Sequence, residues 1–295
     1  MKHVWFSVLL LMAINLLNLN WLQAEDKEAS PFVWVDKAAE AYRAGKVKEA
    51  VQFADRAVAA EPKNPRLHFF KGQLYNALRE YDKSIAAYTK ALALKPPAAI
   101  VTDLHQERGE AYFKAAKIKE SIADFDAYLK DVPRQDPHHW QRGISYYYAD
   151  EFKKGYEQFE RHQTVNSNDV ENAVWHFLCL ARAKGIEEAK KKLIPIVGDG
   201  RIPMMEVLAL FGGKSTPEKV LAKANDAAGP RLERQLFYAH LYLGLWYEAK
   251  KDFKLRDKYI GLAAAVADRH GYMGDVARVH AVLNKIKLPK PAAEK

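Results

Sequence analysis

The chain has 295 residues, 49% of them hydrophobic and 28% charged, with a single cysteine and a formal net charge of +9. That length suits one or two domains with ample apolar content for a core, and the composition is neither disordered nor membrane-embedded throughout. One cysteine excludes a disulfide framework, a CxxC redox pair and a multi-cysteine zinc site, while the basic excess suits an anionic partner or surface.

Residues 1–24 begin with Lys2 and His3, run apolar from Val4 to Ile14, and reach Ala24 just before the polar Glu25-Asp26-Lys27-Glu28. This layout predicts a secretory signal cleaved after Ala24 and a mature chain that is exported, periplasmic or secreted. The alternative is an uncleaved membrane anchor: Val4–Leu22 spans 19 residues, with Asn15, Asn18 and Asn20 toward its far end. Membrane attachment is expected only in that second case. No cysteine precedes Cys179, so the segment carries no lipoprotein attachment residue. Export makes nucleic acid an unexpected partner and favours proteins, anionic envelope polymers or lipid head groups.

From Pro31 onward a 34-residue period emerges. Gly72, Gly109 and Gly143 are each followed three residues on by Tyr75, Tyr112 and Tyr146, and sixteen residues on by Tyr88, Phe125 and Phe159. Twelve positions after each glycine stands a small residue (Ser84, Ser121, Gly155), and Pro96 and Pro133 close the second and third units. Trp34, Ala38, Gly45, Ala50, Ala57 and Pro62 fit the same frame one unit earlier. This pattern resembles the tetratricopeptide repeat (TPR), two antiparallel helices per unit. The glycine and the small residue mark a close approach of the two helices, the aromatics fill the gap between hairpins, and the prolines stop the second helix. The resemblance implies an all-α superhelical solenoid, because one hairpin cannot bury its apolar face alone. Four regular units are expected over 31–168.

A divergent helical, TPR-like region is expected over 169–286. Asp169–Lys184 has helical periodicity and stops at Gly185; Ile186–Leu193 forms a short partner helix. Ser215 caps a helix with Glu218 at the reciprocal capping-box position. Pro230–Asp268 restores the glycine–tyrosine spacing at Gly244 and Tyr247, Met273–Ile286 forms a capping helix, and 287–295 is a disordered tail.

A narrower resemblance follows from the segments NDVENAVWHFLCLARAKG, MMEVLALFGGKSTPEKVLAKA and LYLGLWYEAKKDFKLRDKYIGLAAAVA, in that order after the export signal and repeats. The sequence resembles the envelope lipoprotein NlpI family over about 32–286, without that family's lipid-attachment cysteine. The resemblance implies a periplasmic, homodimeric adaptor that holds a processing protease and cell-wall hydrolases together.

In a TPR stack the first helices of the units line a concave groove. The residues expected there are Val35, Tyr42 and Arg43 from the first unit and Arg66, Phe69, Gln73 and Asn76 from the second. The third gives Gln106, Glu110, Phe113 and Lys114; the fourth gives Trp140, Ile144, Tyr147 and Tyr148. Such a groove of aromatics and amides suits an extended peptide, and some of its aromatics alternatively pack between helices. Val35 and Ala39 stand where the carboxylate-clamping TPR pattern places Lys and Asn, so that mode is not expected.

Signals for chemistry are sparse. His138 and His139 are adjacent and diverge by about 100° on a helix, unsuited to one ion. Cys179 sits between Leu178 and Leu180, the setting of a buried, inert thiol. Lys190-Lys191-Lys192, with Arg182 and Lys184, forms a solvated face or a basic patch. No GxSxG, HExxH, P-loop or dinucleotide fingerprint is present. A non-enzymatic protein without cofactor or metal is expected, acting as a scaffold through its groove. The alternative is a basic structural protein contacting peptidoglycan or anionic lipid.

Overall fold

The computed structural model describes residues 30–289, and every regular element among them is helical. The expected signal at 1–24 and the end of the expected tail lie outside the described residues. None of the described helices is long and apolar enough to cross a membrane. Two compact units divide between Arg108 and Gly109.

The first unit contains α1 (Pro31–Arg43), α2 (Val47–Ala60), α3 (Pro65–Ala77) and α4 (Tyr81–Ala93), followed by the first part of α5 (Ala98–Lys114). Pro31 and Pro65 open their helices where a missing N–H costs nothing, and the Asn64 side chain accepts from Arg66 N–H as an N-cap. Helices α1 and α2 pair around Trp34, Ala38, Ala41, Ala50 and Ala54, all buried, and α3 pairs with α4 around Leu74 and Tyr88.

The pairing is close because of the glycine register. A Cβ built on Gly72 would stand 2.4 Å from the Tyr88 ring, and one on Gly143 would stand 2.7 Å from Phe159. The aromatic sixteen residues on therefore lies over the glycine of its own hairpin, rather than only between successive hairpins. Ser84 Oγ donates to the Gly72 carbonyl at 2.8 Å, so the small residue closes the same contact.

A second register was not apparent from residue types. The turn between the paired helices places Gly45, Arg79, Ala116, Asp150 and Lys251 at φ between 58° and 75°. The residue after each turn donates its N–H five positions back, as in Lys46 to Ala41 and Glu151 to Tyr146, which satisfies carbonyls at the end of the first helix. Only the first of these five is glycine.

The second unit continues from α5 through α6 (Ile118–Asp131), a 3₁₀ turn at Pro133–His138, α7 (Trp140–Tyr148) and α8 (Phe152–Gln163). Next come α9 (Val170–Lys184), α10 (Ile186–Lys191), α11 (Met204–Phe211) and α12 (Pro217–Ala224). The hairpin α13 (Pro230–Ala249) and α14 (Phe253–Ala265) and a last helix, α15 (Gly271–Leu283), complete it. Helix α9 is its centre: Val170, Val174, Trp175, Phe177 and Leu178 are buried among α7, α8, α11 and α13. Cys179 is buried there and fits against Gly155, where an added Cβ would lie 2.6 Å from its Sγ. Burial pushes this thiol well above the ordinary cysteine range, as expected of an inert core residue.

One capping assignment is corrected. Thr216, not Ser215, is the N-cap of α12, accepting from Lys219 N–H with Pro217 at the first helical position; Ser215 instead donates to Glu206.

Candidate functional site

The first helix of each hairpin carries the residues expected in a groove, and the two units treat them differently. In the first unit Tyr42, Arg43, Arg66 and Gln73 are exposed, while Phe69, Asn76 and Gln106 are half-buried, as is Val35. Phe69 leans on Tyr88 with ring centroids 5.7 Å apart. This face also includes Phe32, 74% exposed, which sequence reasoning passed over. Phe32 stands one repeat before Arg66, so counting the frame would have found it.

In the second unit the chain covers its own face. Phe113, Ile144 and Tyr147 are buried core residues, and Trp140 and Tyr148 pack against that core. The cover is α15: Tyr272 stacks on Phe113 with centroids 5.3 Å apart, and meets Trp140 edge-on at 4.9 Å. Glu110 is engaged too, accepting from Lys114 at 3.2 Å and from Gln141 at 2.7 Å. Among the residues expected in the groove, Phe113, Ile144 and Tyr147 are thus buried, and Trp140 and Tyr148 pack against the core, the alternative in which aromatics pack between helices; Glu110 and Lys114 are half-buried. The physical reason is that Tyr272, Val276 and His280 recur every four residues and form one apolar and aromatic helix face, which these aromatics bury.

Beside this covered face lies a cleft of about 880 Å³, lined among others by Tyr147, Tyr148, Arg182, Glu248, Phe253 and Arg256. Tyr147 Oη donates to Glu248 Oε2 at 3.0 Å, and Arg182 stands 3.8 Å from the other Glu248 oxygen. Tyr148 Oη lies 3.1 Å from His280 Nδ1, and His280 Nε2 lies 3.5 Å from Glu248 Oε2. Burial, reinforced by Glu248, lifts both tyrosines well above the ordinary phenol range, so they remain neutral donors. Burial also lowers the His280 pKa and keeps the imidazole neutral at pH 7. The arrangement is a hydrogen-bonded floor that ties α7, α13 and α15 together.

The cleft's rim is apolar and accessible. Phe253 is 52% exposed and Leu283 is 42% exposed. Arg182 lies over Phe152, 4.5 Å from its ring centroid, and also pairs with Asp150 at 3.3 Å. Acidic and basic groups are balanced along the lining: Asp150, Glu187 and Glu248 against Arg182, Lys251 and Arg256. Of the predicted groove residues, the cleft brings together only Tyr147 and Tyr148. Phe253, Glu248 and Leu283 were missed because they come from the last hairpin and last helix, about a hundred residues or more away in sequence.

The remaining sequence signals resolve into structure. Lys190 pairs with Glu187 at 2.8 Å and Lys192 with Glu188 at 3.6 Å, so the lysine run is largely matched by acids one turn back. His139 is buried and accepts from Arg142 N–H as the N-cap of α7, its pKa lowered to about 4 by burial and by Arg142. Among the described residues there is no cluster of three or more side chains suited to a metal ion. Two arginine hubs, Arg142 buried and Arg201 half-buried, went unnoticed in the sequence. Arg142 donates to Asp126 at 2.9 Å, to Gln158 and to Asp136. Arg201 donates to Asp169, Glu171 and Asp199.

Comparison with known proteins agrees with this fold. The tetratricopeptide repeat family model matches residues 65–97, the α3–α4 hairpin. No curated protein matches the chain in sequence. Among solved structures, a tetratricopeptide repeat protein from Parabacteroides merdae ATCC 43184 is 16% identical, with 86% of this chain and 98% of that one covered and a TM-score of 0.54. A MamA protein structure is 15% identical, covering 68% of this chain and 98% of its own, with a TM-score of 0.51. MamA 41-end from Desulfovibrio magneticus RS-1 is 16% identical over 56% of this chain and 92% of its own, with a TM-score of 0.50. At such identities the likeness is one of fold. The chain thus carries a tetratricopeptide repeat at residues 65–97, and helical hairpins of the same kind recur on either side of it in an all-helical, TPR-like solenoid fold.

Proposed function

We propose that this protein is a non-enzymatic scaffold that holds a protein partner, and that the partner enters the cleft beside Phe253 and Leu283. The observation that carries the reading is the cleft itself. It joins exposed apolar side chains at the rim to a fixed polar floor made by Tyr147, Tyr148, Glu248 and His280. Apolar anchors with a few oriented polar groups suit an extended segment of a partner, whose side chains fill the pocket while its amides pair with the floor. The exposed Phe32, Tyr42 and Arg66 of the first unit offer a further contact face of the same character.

The finer reading follows the sequence resemblance. The protein is exported by its N-terminal segment, forms a homodimer, and brings a processing protease and cell-wall hydrolases together in the periplasm, as the NlpI family does. The paired double substitution Phe253→Asp with Leu283→Asp tests the cleft. Partner co-purification is expected to fall sharply with the helical circular dichroism unchanged. Undiminished co-purification by the folded variant would reject the cleft. Salt-sensitive sedimentation with cell-wall sacculi that survives this substitution would instead favour a basic envelope-binding surface.

A further inference from the structure

Phe253 stands in the segment Lys250-Lys251-Asp252-Phe253-Lys254, which spans the turn from α13 into α14. Lys250, Lys251 and Lys254 are exposed, and none of them is ion-paired among the described residues. The one acid of the segment, Asp252, caps α14 by accepting from Leu255 N–H at 3.1 Å. Leu283, on the same cleft, is followed by Lys285 and Lys287, which are exposed and likewise unpaired among the described residues.

The charged groups of the lining match in number, but their pairing is uneven. Asp150 is held by Arg182 at 3.3 Å, Glu187 by Lys190 at 2.8 Å and Glu248 by Tyr147 at 3.0 Å. Arg256 is held in turn by Asp257 at 2.7 Å. The acids are therefore all engaged, while Lys251 on the lining is not. The Lys190 hydrogen bond, and to a smaller extent the Lys250 charge, hold the Glu187 carboxyl below its ordinary range, which places Lys250 at this rim as well. Both exposed apolar side chains of the cleft thus carry uncompensated positive charge beside them. Such a field attracts and orients a partner of opposite sign. Lysines are point charges on flexible stems, so they follow carboxylates at several positions rather than fix one in a bidentate grip.

We propose that the segment received by this cleft is acidic: an apolar residue seats between Phe253 and Leu283, and Asp or Glu one to three places from it meet the lysines. Neighbours at those places along an extended segment lie roughly 3–10 Å from the anchor, within the sweep of a lysine beside Phe253 or Leu283. The inference rests on the reading of the cleft as the seat of a protein partner, and adds that partner's chemistry. An anionic bilayer would meet the same lysines, but a flat surface does not enter a recess of about 880 Å³.

The test is a display library of random twelve-residue peptides selected on the immobilised protein and counter-selected on its Phe253→Asp, Leu283→Asp variant. The peptides that survive are expected to share an apolar residue with Asp or Glu within three places of it. Changing those acids to Asn or Gln in a synthetic copy is expected to weaken binding about tenfold, as loss of a few exposed charge pairs would. The surface variant Lys250→Glu, Lys251→Glu, Lys254→Glu, with its helical circular dichroism unchanged, is expected to select Lys- or Arg-bearing peptides instead. Peptides that depend on Phe253 and Leu283 but are neutral or basic would overturn the inference and leave the cleft standing. Recovery of no peptide that depends on those two residues would reject the cleft itself, and the inference with it. Vesicles of phosphatidylglycerol that sediment the native protein but not the Phe253→Asp, Leu283→Asp variant would assign the face to a membrane and overturn the proposal.

Discussion

Tyr272 lies stacked on Phe113, ring centroids 5.3 Å apart and planes within 13° of parallel, although the two residues belong to the last helix and to the third repeat. Trp140 closes on the same tyrosine edge-on. Through this contact the C-terminal helix covers a face that a repeat protein would otherwise leave to a ligand. Truncating the ring by Tyr272→Ala is expected to cost about 3 kcal/mol in urea denaturation, at the low end for an aromatic that is only partly buried. Tyr272→Phe, which keeps the stack and removes an unpaired hydroxyl, is expected to leave stability unchanged or slightly raised.

The glycine register makes an equally direct prediction. Gly143→Ala would place a methyl group 2.7 Å from the Phe159 ring, and the pair α7–α8 cannot separate without disturbing the contact of α8 with α9. A loss of about 1–3 kcal/mol is expected, measured as a lower midpoint at unchanged m-value.

The turn register predicts the opposite sign. Ala116 sits at φ 58°, a conformation that strains an L side chain and suits glycine. Ala116→Gly relieves that strain against a smaller entropic loss, with a net gain of about 0.5–1 kcal/mol expected. The reverse change at Gly45, where φ is 75°, is expected to destabilise by a similar amount, about 1 kcal/mol.

Acid should weaken the protein through His139. Its folded pKa is about 4 against an ordinary 6.5, because burial and Arg142 oppose its protonation. Between those values the unfolded chain binds the proton and the folded one does not, so stability is full above pH 6.5 and declines as pH falls toward 4. The contribution of this residue is roughly 3 kcal/mol across that window. His139→Asn replaces the capping ring nitrogen with an amide oxygen able to accept from Arg142 N–H and removes the titration. Urea midpoints from pH 7 to pH 4 are expected to fall less steeply in the variant than in the native protein.

Particular residues show which features were legible from sequence. Gly72 with Tyr88, and Gly143 with Phe159, announced the hairpins because close helix contact admits only certain residue sizes at fixed spacing, and the family model finds the same repeat at residues 65–97. The turn residues Arg79, Ala116 and Asp150 were silent, since the αL position is enforced there by the hairpin rather than declared by glycine. Ser215 and Thr216 are both competent caps, and Pro217 at the first helical position selects the latter. In the second unit the sequence left two alternatives for the groove aromatics, because a frame of inward-facing positions does not say what fills the space. That answer lay in the Tyr272–Val276–His280 face, whose partner is set by tertiary packing. The hubs at Arg142 and Arg201 gather acids from separate elements and have no local signature.

The central claim, that a protein partner occupies the cleft at Phe253 and Leu283, is tested most directly by site-specific photo-crosslinking in cells. A crosslinking amino acid at Phe253 or Leu283 is expected to capture the same defined partner from both positions, and the same residue at exposed Lys119 is not. An Arg182→Glu substitution, which disturbs the cleft wall, is expected to diminish the capture. No adduct from either cleft position, or equal capture of that partner from Lys119, would contradict the account.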